Sequence, residues 1–89
     1  MSAIITVYGT DWCGNTIRTR QHLEELGIPY EYFNVDHDES AERQVVEWNG
    51  GRLITPTVLI KSAAGTNRLC EPEDEGIDYV LARHEPLAA

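Results

Sequence analysis

Cys13 is the residue of this chain best placed to do chemistry. It lies in Thr10-Asp11-Trp12-Cys13-Gly14-Asn15-Thr16, directly after the apolar run Ile4-Ile5-Thr6-Val7-Tyr8 and at the head of a helix-compatible stretch. The first-turn N–H groups of a helix lack intrahelical partners, so a thiolate in front of them gains hydrogen bonds and the favourable end of the helix dipole. The thiolate, not the thiol, is the species that attacks disulfides. Three residues on, where a dithiol redox motif would carry its second sulfur, stands Thr16. The chain therefore holds one half of a Cys-x-x-Cys pair.

The flanks of Cys13 are loop and cap residues, which argues against the inert buried cysteine that is the common alternative. Asp11 opposes ionisation of the thiol as a nearby negative charge, and Arg18 and Arg20 favour it if they fold back. The Thr16 hydroxyl has two readings that both stand: a local bond within the first turn, or a bond to the Cys13 sulfur that helps hold the thiolate. Cys70, followed by Glu71 and Pro72, also has two. One is a plain edge residue; the other is a distant resolving cysteine, which would need its Cα within about 7 Å of that of Cys13. His22, His37 and His84 have no metal-ligand spacing with the cysteines. Neither a glycine-rich phosphate loop nor a Ser/His/Asp order for acyl transfer is present.

The elements that must position Cys13 can be read from periodicity. Ile4 to Tyr8 is β-branched and continuous, as in a strand buried on both faces. A helix follows from about Asn15 to Leu26, ended by Gly27 and Pro29, with Thr19, Leu23 and Leu26 on its core face and His22 at the edge. Tyr30 to Val35 reads as a second strand, parallel to the first. Asp36-His37-Asp38-Glu39-Ser40 supplies N-caps for a helix from about Ala41 to Asn49, closed by Gly50-Gly51, whose face is Ala41, Val45 and Trp48. Thr57 to Ile60 is a third strand, Ser62 to Thr66 a turn and Asn67 to Cys70 a fourth strand, the pair forming a hairpin. The last helix starts near Pro72 and buries Ile77, Val80, Leu81 and His84, at i, i+3, i+4 and i+7.

Composition narrows the partners. Eighty-nine residues, 42% hydrophobic and 25% charged, are those of one ordinary globular domain spanning 1–89, since a chain this size cannot support two cores. Two cysteines, and no basic n-region or apolar h-region at Met1-Ser2-Ala3-Ile4, point to a reducing, cytoplasmic setting. Apolar runs such as Thr57-Val58-Leu59-Ile60 fall far below the roughly 20 residues of a membrane helix. Fifteen acidic against seven basic residues give a net charge of −8, which repels nucleic-acid backbones and anionic lipid surfaces.

Three pieces, Val7-Tyr8-Gly9-Thr10-Asp11-Trp12-Cys13-Gly14, Asn49-Gly50-Gly51 and Thr55-Pro56-Thr57-Val58, in this order and spacing, resemble the thioredoxin superfamily in its glutaredoxin branch, and most of all the mycoredoxins. The likeness covers nearly the whole chain. It implies an α/β thioredoxin-like fold, β-α-β-α-β-β-α, with a four-stranded mixed sheet flanked by three helices. It also implies that the Thr55–Pro56 bond is cis and lies beside the active-site sulfur. Pro56 at the head of an apolar strand is otherwise odd, because proline cannot donate to the ladder.

The activity implied is that of a monothiol thiol–disulfide oxidoreductase serving redox homeostasis and electron transport. Cys13 would reduce mixed disulfides between proteins and a small thiol, mycothiol or glutathione, that acts as co-substrate. Trp12, Gly14, Asn15, Thr16 and Pro56 support the site in this likeness, with Trp12 as a docking surface for the thiolated protein. Thr10, Arg52, Thr55, Cys70 and Glu71 hold the small thiol. Thr10 replaces the lysine usual in glutathione-using relatives, and Arg68-Leu69 replace two glycines before Cys70. The rival class is a non-catalytic carrier of an iron–sulfur cluster or a docking module. Asn15 departs from the aromatic of Cys-Gly-Phe-Ser, which makes an iron–sulfur cluster the less favoured reading, and no tightly bound cofactor is expected. The protein is expected to be a monomer.

Overall fold

The computed structural model describes residues 3–84; Met1 and Ser2, part of the N-terminal stretch considered above, and residues 85–89 lie outside the described residues. The elements are β1 (Ile4–Gly9), α1 (Gly14–Glu25), β2 (Glu31–Asn34), α2 (Glu39–Trp48), β3 (Thr57–Ser62), β4 (Gly65–Cys70) and α3 (Asp74–His84). Their order is the expected one, and the strands form a single mixed sheet in the order β2-β1-β3-β4. β1 runs parallel to β2, with Val7 opposite Tyr32, and antiparallel to β3, with Val7 opposite Val58. β4 is antiparallel to β3, with Thr57 opposite Cys70. These directions bring the ends of β1, β2 and β4 and the start of β3 to one edge.

Successive residues of a strand face opposite sides of the sheet, and both sides are covered. Ile5, Val7, Val58 and Ile60 form one core with Leu23 of α1 and Ile77, Val80 and Leu81 of α3. On the other side Tyr8, Phe33 and Trp48 pack around Val35, Ala41 and Val45 of the α2 layer. Tyr8 stacks on Phe33 and meets Trp48 edge-on, each at 5.4 Å between ring centroids.

α1 ends in a Schellman turn: Ile28 N–H reaches the Leu23 carbonyl and Gly27 N–H that of Glu24, both at 3.0 Å, with Gly27 at φ 71°. The Asp38 carboxylate caps α2 by accepting the Ala41 N–H at 3.0 Å. α1 and α3 are tied across the sheet face by Arg18, which donates to Asp74 at 2.7 Å and to the Pro72 carbonyl at 3.2 Å, and by His22 on Asp78 at 2.7 Å. His84 is buried as its spacing implies; its two ring nitrogens bond Ser62 at 2.7 Å and Asn67 at 2.6 Å, fastening α3 to the hairpin.

Four expectations need correction. Leu26 is 47% exposed and is not on the core face of α1; Thr16 and Thr19 are buried there with Leu23. Ile4, at the strand end, is 64% exposed. The β3–β4 turn is tighter than Ser62–Thr66, because both strands extend until only Ala63 and Ala64 separate them, and the last helix begins at Asp74 rather than near Pro72.

Leu23→Ala should therefore cost about 2–5 kcal/mol in denaturant unfolding, the range for emptying a filled core site. Leu26→Ala, on the same helix, should stay within about 0.5 kcal/mol of the parent, as surface changes do.

Candidate functional site

Cys13 is the N-cap residue of α1, in extended backbone conformation with φ −80° and ψ 120°. The turn that delivers it is set by its own N–H bonding the Thr10 carbonyl at 3.3 Å. Its side chain makes no capping hydrogen bond of ordinary length with the helix. Burial pushes the thiol up, but the Thr16 hydroxyl and N–H, the Thr55 hydroxyl and the Asn15 N–H favour the charged sulfur and together hold it below the ordinary cysteine value. The Thr55 hydroxyl stands 3.9 Å from the sulfur.

Of the two readings of the Thr16 hydroxyl, the one toward the Cys13 sulfur is favoured, and its other bond reaches back to Thr10, ahead of the helix, rather than within the first turn. Thr16 is fully buried, its oxygen accepts the Thr10 N–H at 3.5 Å, and its hydroxyl favours the Cys13 thiolate. The room for it is made by Gly9: a Cβ there would stand 2.5 Å from both Thr16 Oγ1 and Cγ2. This close approach is what requires glycine at position 9.

The second wall is the loop before β3. The Thr55–Pro56 peptide is cis, Pro56 is buried, and Thr55 is the residue whose hydroxyl reaches Cys13. The loop is fixed from three directions. Glu71 N–H donates to the Pro56 carbonyl at 2.8 Å, the Thr57 hydroxyl to the Ile54 carbonyl at 2.8 Å, and the Asn49 amide to the Thr57 hydroxyl at 3.4 Å. Asn49 also accepts the Cys70 thiol at 2.8 Å, so the end of α2 links β3 to β4. Glu71, at φ 47°, is held in a left-handed turn by its bond to Pro56.

The other residues named from sequence fall as follows. Gly14 and Asn15 are exposed in the first turn of α1, Arg52 is exposed in the loop between α2 and β3, and Cys70 and Glu71 are exposed at the end of β4. Both cysteines are free thiols. Thr10 is buried, at 2% exposure, with its hydroxyl unpartnered, so its side chain is not on the surface where a small molecule would approach; its backbone shapes the Cys13 turn instead. Arg18 and Arg20 do not fold back on the sulfur. Arg18 is held by Asp74 and Pro72, and Arg20 lies 3.8 Å over the Tyr32 ring and donates to the Tyr30 hydroxyl at 3.1 Å. Asp11 accepts the Tyr32 hydroxyl at 2.8 Å; burial first and this bond second push Tyr32 up to about 12, so it remains a donor.

Trp12 is 74% exposed, and its indole N–H donates to Asp36 at 2.7 Å. Sequence reasoning missed Asp36 in this role, because a contact across 24 positions leaves no local signal. Among the described residues no group of three or more His, Cys, Asp or Glu side chains is arranged to hold a metal ion. No described helix is long and apolar enough to cross a membrane.

Comparison with known proteins agrees with this geometry. Residues 5–63 match the family model described as Glutaredoxin. The chain is 39% identical to Mycoredoxin 1 of Corynebacterium glutamicum over 85 residues, 94% of this chain and 96% of that protein. Its fold is similar to that of Fasciola hepatica thioredoxin, with a TM-score of 0.71 at 17% identity, over 94% of this chain and 82% of that one. It is also similar to buckwheat glutaredoxin in its glutathione complex, with a TM-score of 0.54 at 20% identity, over 63% and 53% of the two chains.

The Thr16 hydroxyl can be removed without changing its shape. Thr16→Val should raise the thiol pKa, because a group that favours the charged form is lost. The rate of Cys13 alkylation by iodoacetamide, followed against pH in the Cys70→Ser background, should then rise at higher pH than in the Thr16 protein. The two should differ most near neutrality and converge in alkali, where both sulfurs are ionised.

Proposed function

We propose a one-sulfur mechanism for this chain, which belongs to the glutaredoxin family and is a thiol–disulfide oxidoreductase. Its substrates are mixed disulfides between proteins and a small thiol. The Cys13 thiolate attacks the small-thiol sulfur; the disulfide bond between that sulfur and the protein's sulfur breaks, and the protein thiolate leaves and takes a proton from water. A second small thiol, as thiolate, then attacks the small-thiol sulfur now bonded to Cys13. That releases the small-thiol disulfide and regenerates the Cys13 thiolate. The incoming small thiol is the reductant: its sulfur passes from thiol to disulfide level as the protein sulfur passes from disulfide to thiol level.

The observation that carries this reading is a thiolate-favouring Cys13 with Thr16, not a sulfur, at the resolving position. Thr16 lies buried beneath the nucleophile and acts as a hydrogen-bond donor, so the second step falls to an outside thiol. Gly14 and Asn15 open the helix whose N–H groups face the sulfur, and Pro56 sets the opposite wall. The small thiol lies along the Thr55–Pro56 loop, with Thr55 offering backbone groups, Arg52 an exposed cation, and Cys70 and Glu71 the adjoining strand end. Mycothiol and glutathione are the candidates. The likeness to Mycoredoxin 1 supports the first and the buckwheat glutathione complex the second, and the higher identity and coverage of the former give mycothiol the greater weight. The chemistry suits a monomer in the reducing cytoplasm, where a small-thiol pool is maintained.

Cys13→Ser should abolish release of the small thiol from a mixed disulfide, while Cys70→Ser should keep most of the parent rate. Equal loss in both would mean that Cys70 resolves. Thr16→Cys should add direct reduction of insulin disulfides, an activity expected to be weak in the parent, which has no sulfur at that position. No gain in that assay would count against a working redox scaffold at the head of α1.

A further inference from the structure

Trp12 combines two properties that do not serve the core. Its ring is 74% exposed beside the nucleophile, yet it is held in one orientation by the 2.7 Å bond from its indole N–H to Asp36. A hydrogen bond between exposed groups adds little to folding, because water would serve each as well. What it changes is orientation: a ring already fixed loses less freedom when a partner docks on it.

The charges around the ring specify the partner. Asp36 is exposed and, among the described residues, has no cationic partner. Asp11, by contrast, is bonded by Tyr32 and stands 3.9 Å from Arg20. Tryptophan offers the best aromatic face for a cation, and the chain's net charge of −8 draws cations toward it. The strand order β2-β1-β3-β4 sets Cys13, after β1, between Asp36, which follows β2, and the Thr55–Pro56 loop, which precedes β3. If the small thiol occupies the loop side, as the one-sulfur mechanism places it, the protein half of the mixed disulfide leaves over Trp12.

We propose that Trp12 and Asp36 form a docking platform for thiolated protein segments that carry lysine or arginine beside the modified cysteine. This rests on the one-sulfur mechanism above and names its protein substrates by charge.

The test uses peptides thiolated with the same small thiol and identical but for Lys or Glu two positions from the cysteine, together with the mixed disulfide of that thiol and 2-mercaptoethanol, which has no peptide part. The parent should prefer the Lys peptide in kcat/KM by about tenfold at low salt, and the preference should shrink at about 0.5 M salt. Asp36→Asn keeps an acceptor for the indole and removes the charge. It should bring the Lys:Glu ratio close to one and leave the 2-mercaptoethanol disulfide unaffected. Trp12→Ala should also lower the ratio. A parent that reduces the 2-mercaptoethanol disulfide but treats both peptides alike, or an Asp36→Asn variant that keeps the preference or slows all three substrates equally, overturns the platform and leaves the mechanism standing. A parent that turns over none of the three with either mycothiol or glutathione overturns both.

Discussion

The unpaired N–H groups at the head of α1 need a negative partner, and the structure sets one sulfur in front of them. That requirement organises what surrounds it. β1 must end where α1 begins, so the strand is central and paired on both sides. Thr10 must turn the chain, so it is buried and its carbonyl holds the Cys13 N–H. Gly9 must lack a side chain so that Thr16 can sit beneath the sulfur. Burial alone would push the thiol up; the donors gathered around it reverse the sign.

The opposite wall is built from residues far apart in sequence. Pro56, Thr57, Asn49, Cys70 and Glu71 come from a loop, two strands and a helix end, and their hydrogen bonds fix the Thr55 hydroxyl against Cys13. In this network Cys70 is a hydrogen-bond donor to Asn49, which accounts for a polar partner at the strand end without assigning the sulfur any redox step. Arg68 and Leu69, which precede Cys70, both use their side chains. Arg68 lies 5.7 Å from the Trp48 ring centroid and bonds the Trp48 carbonyl, while Leu69 packs against the core.

Sequence by itself determined the element order, the position of the nucleophile at a strand-to-helix junction, the absence of a second sulfur three residues on and the core face of α3. These are local properties: periodicity, cap residues and turn residues act within a few positions, so they can be read from the chain. Tertiary structure decided what depends on distant partners. Leu26 looked like a core residue by helical spacing, but the Schellman turn ends α1 there and it faces solvent while Thr16 and Thr19 pack inward. Arg18 and Arg20 looked available to the thiolate, but carboxylate and aromatic partners from α3 and β2 hold them elsewhere. Thr10 stood at a ligand-binding position and proved buried, and Trp12 acquired its fixed orientation from Asp36, 24 residues away. The direction of the Cys13 shift belongs to the same class, because Thr55 approaches the sulfur only when the sheet sets the start of β3 beside the end of β1.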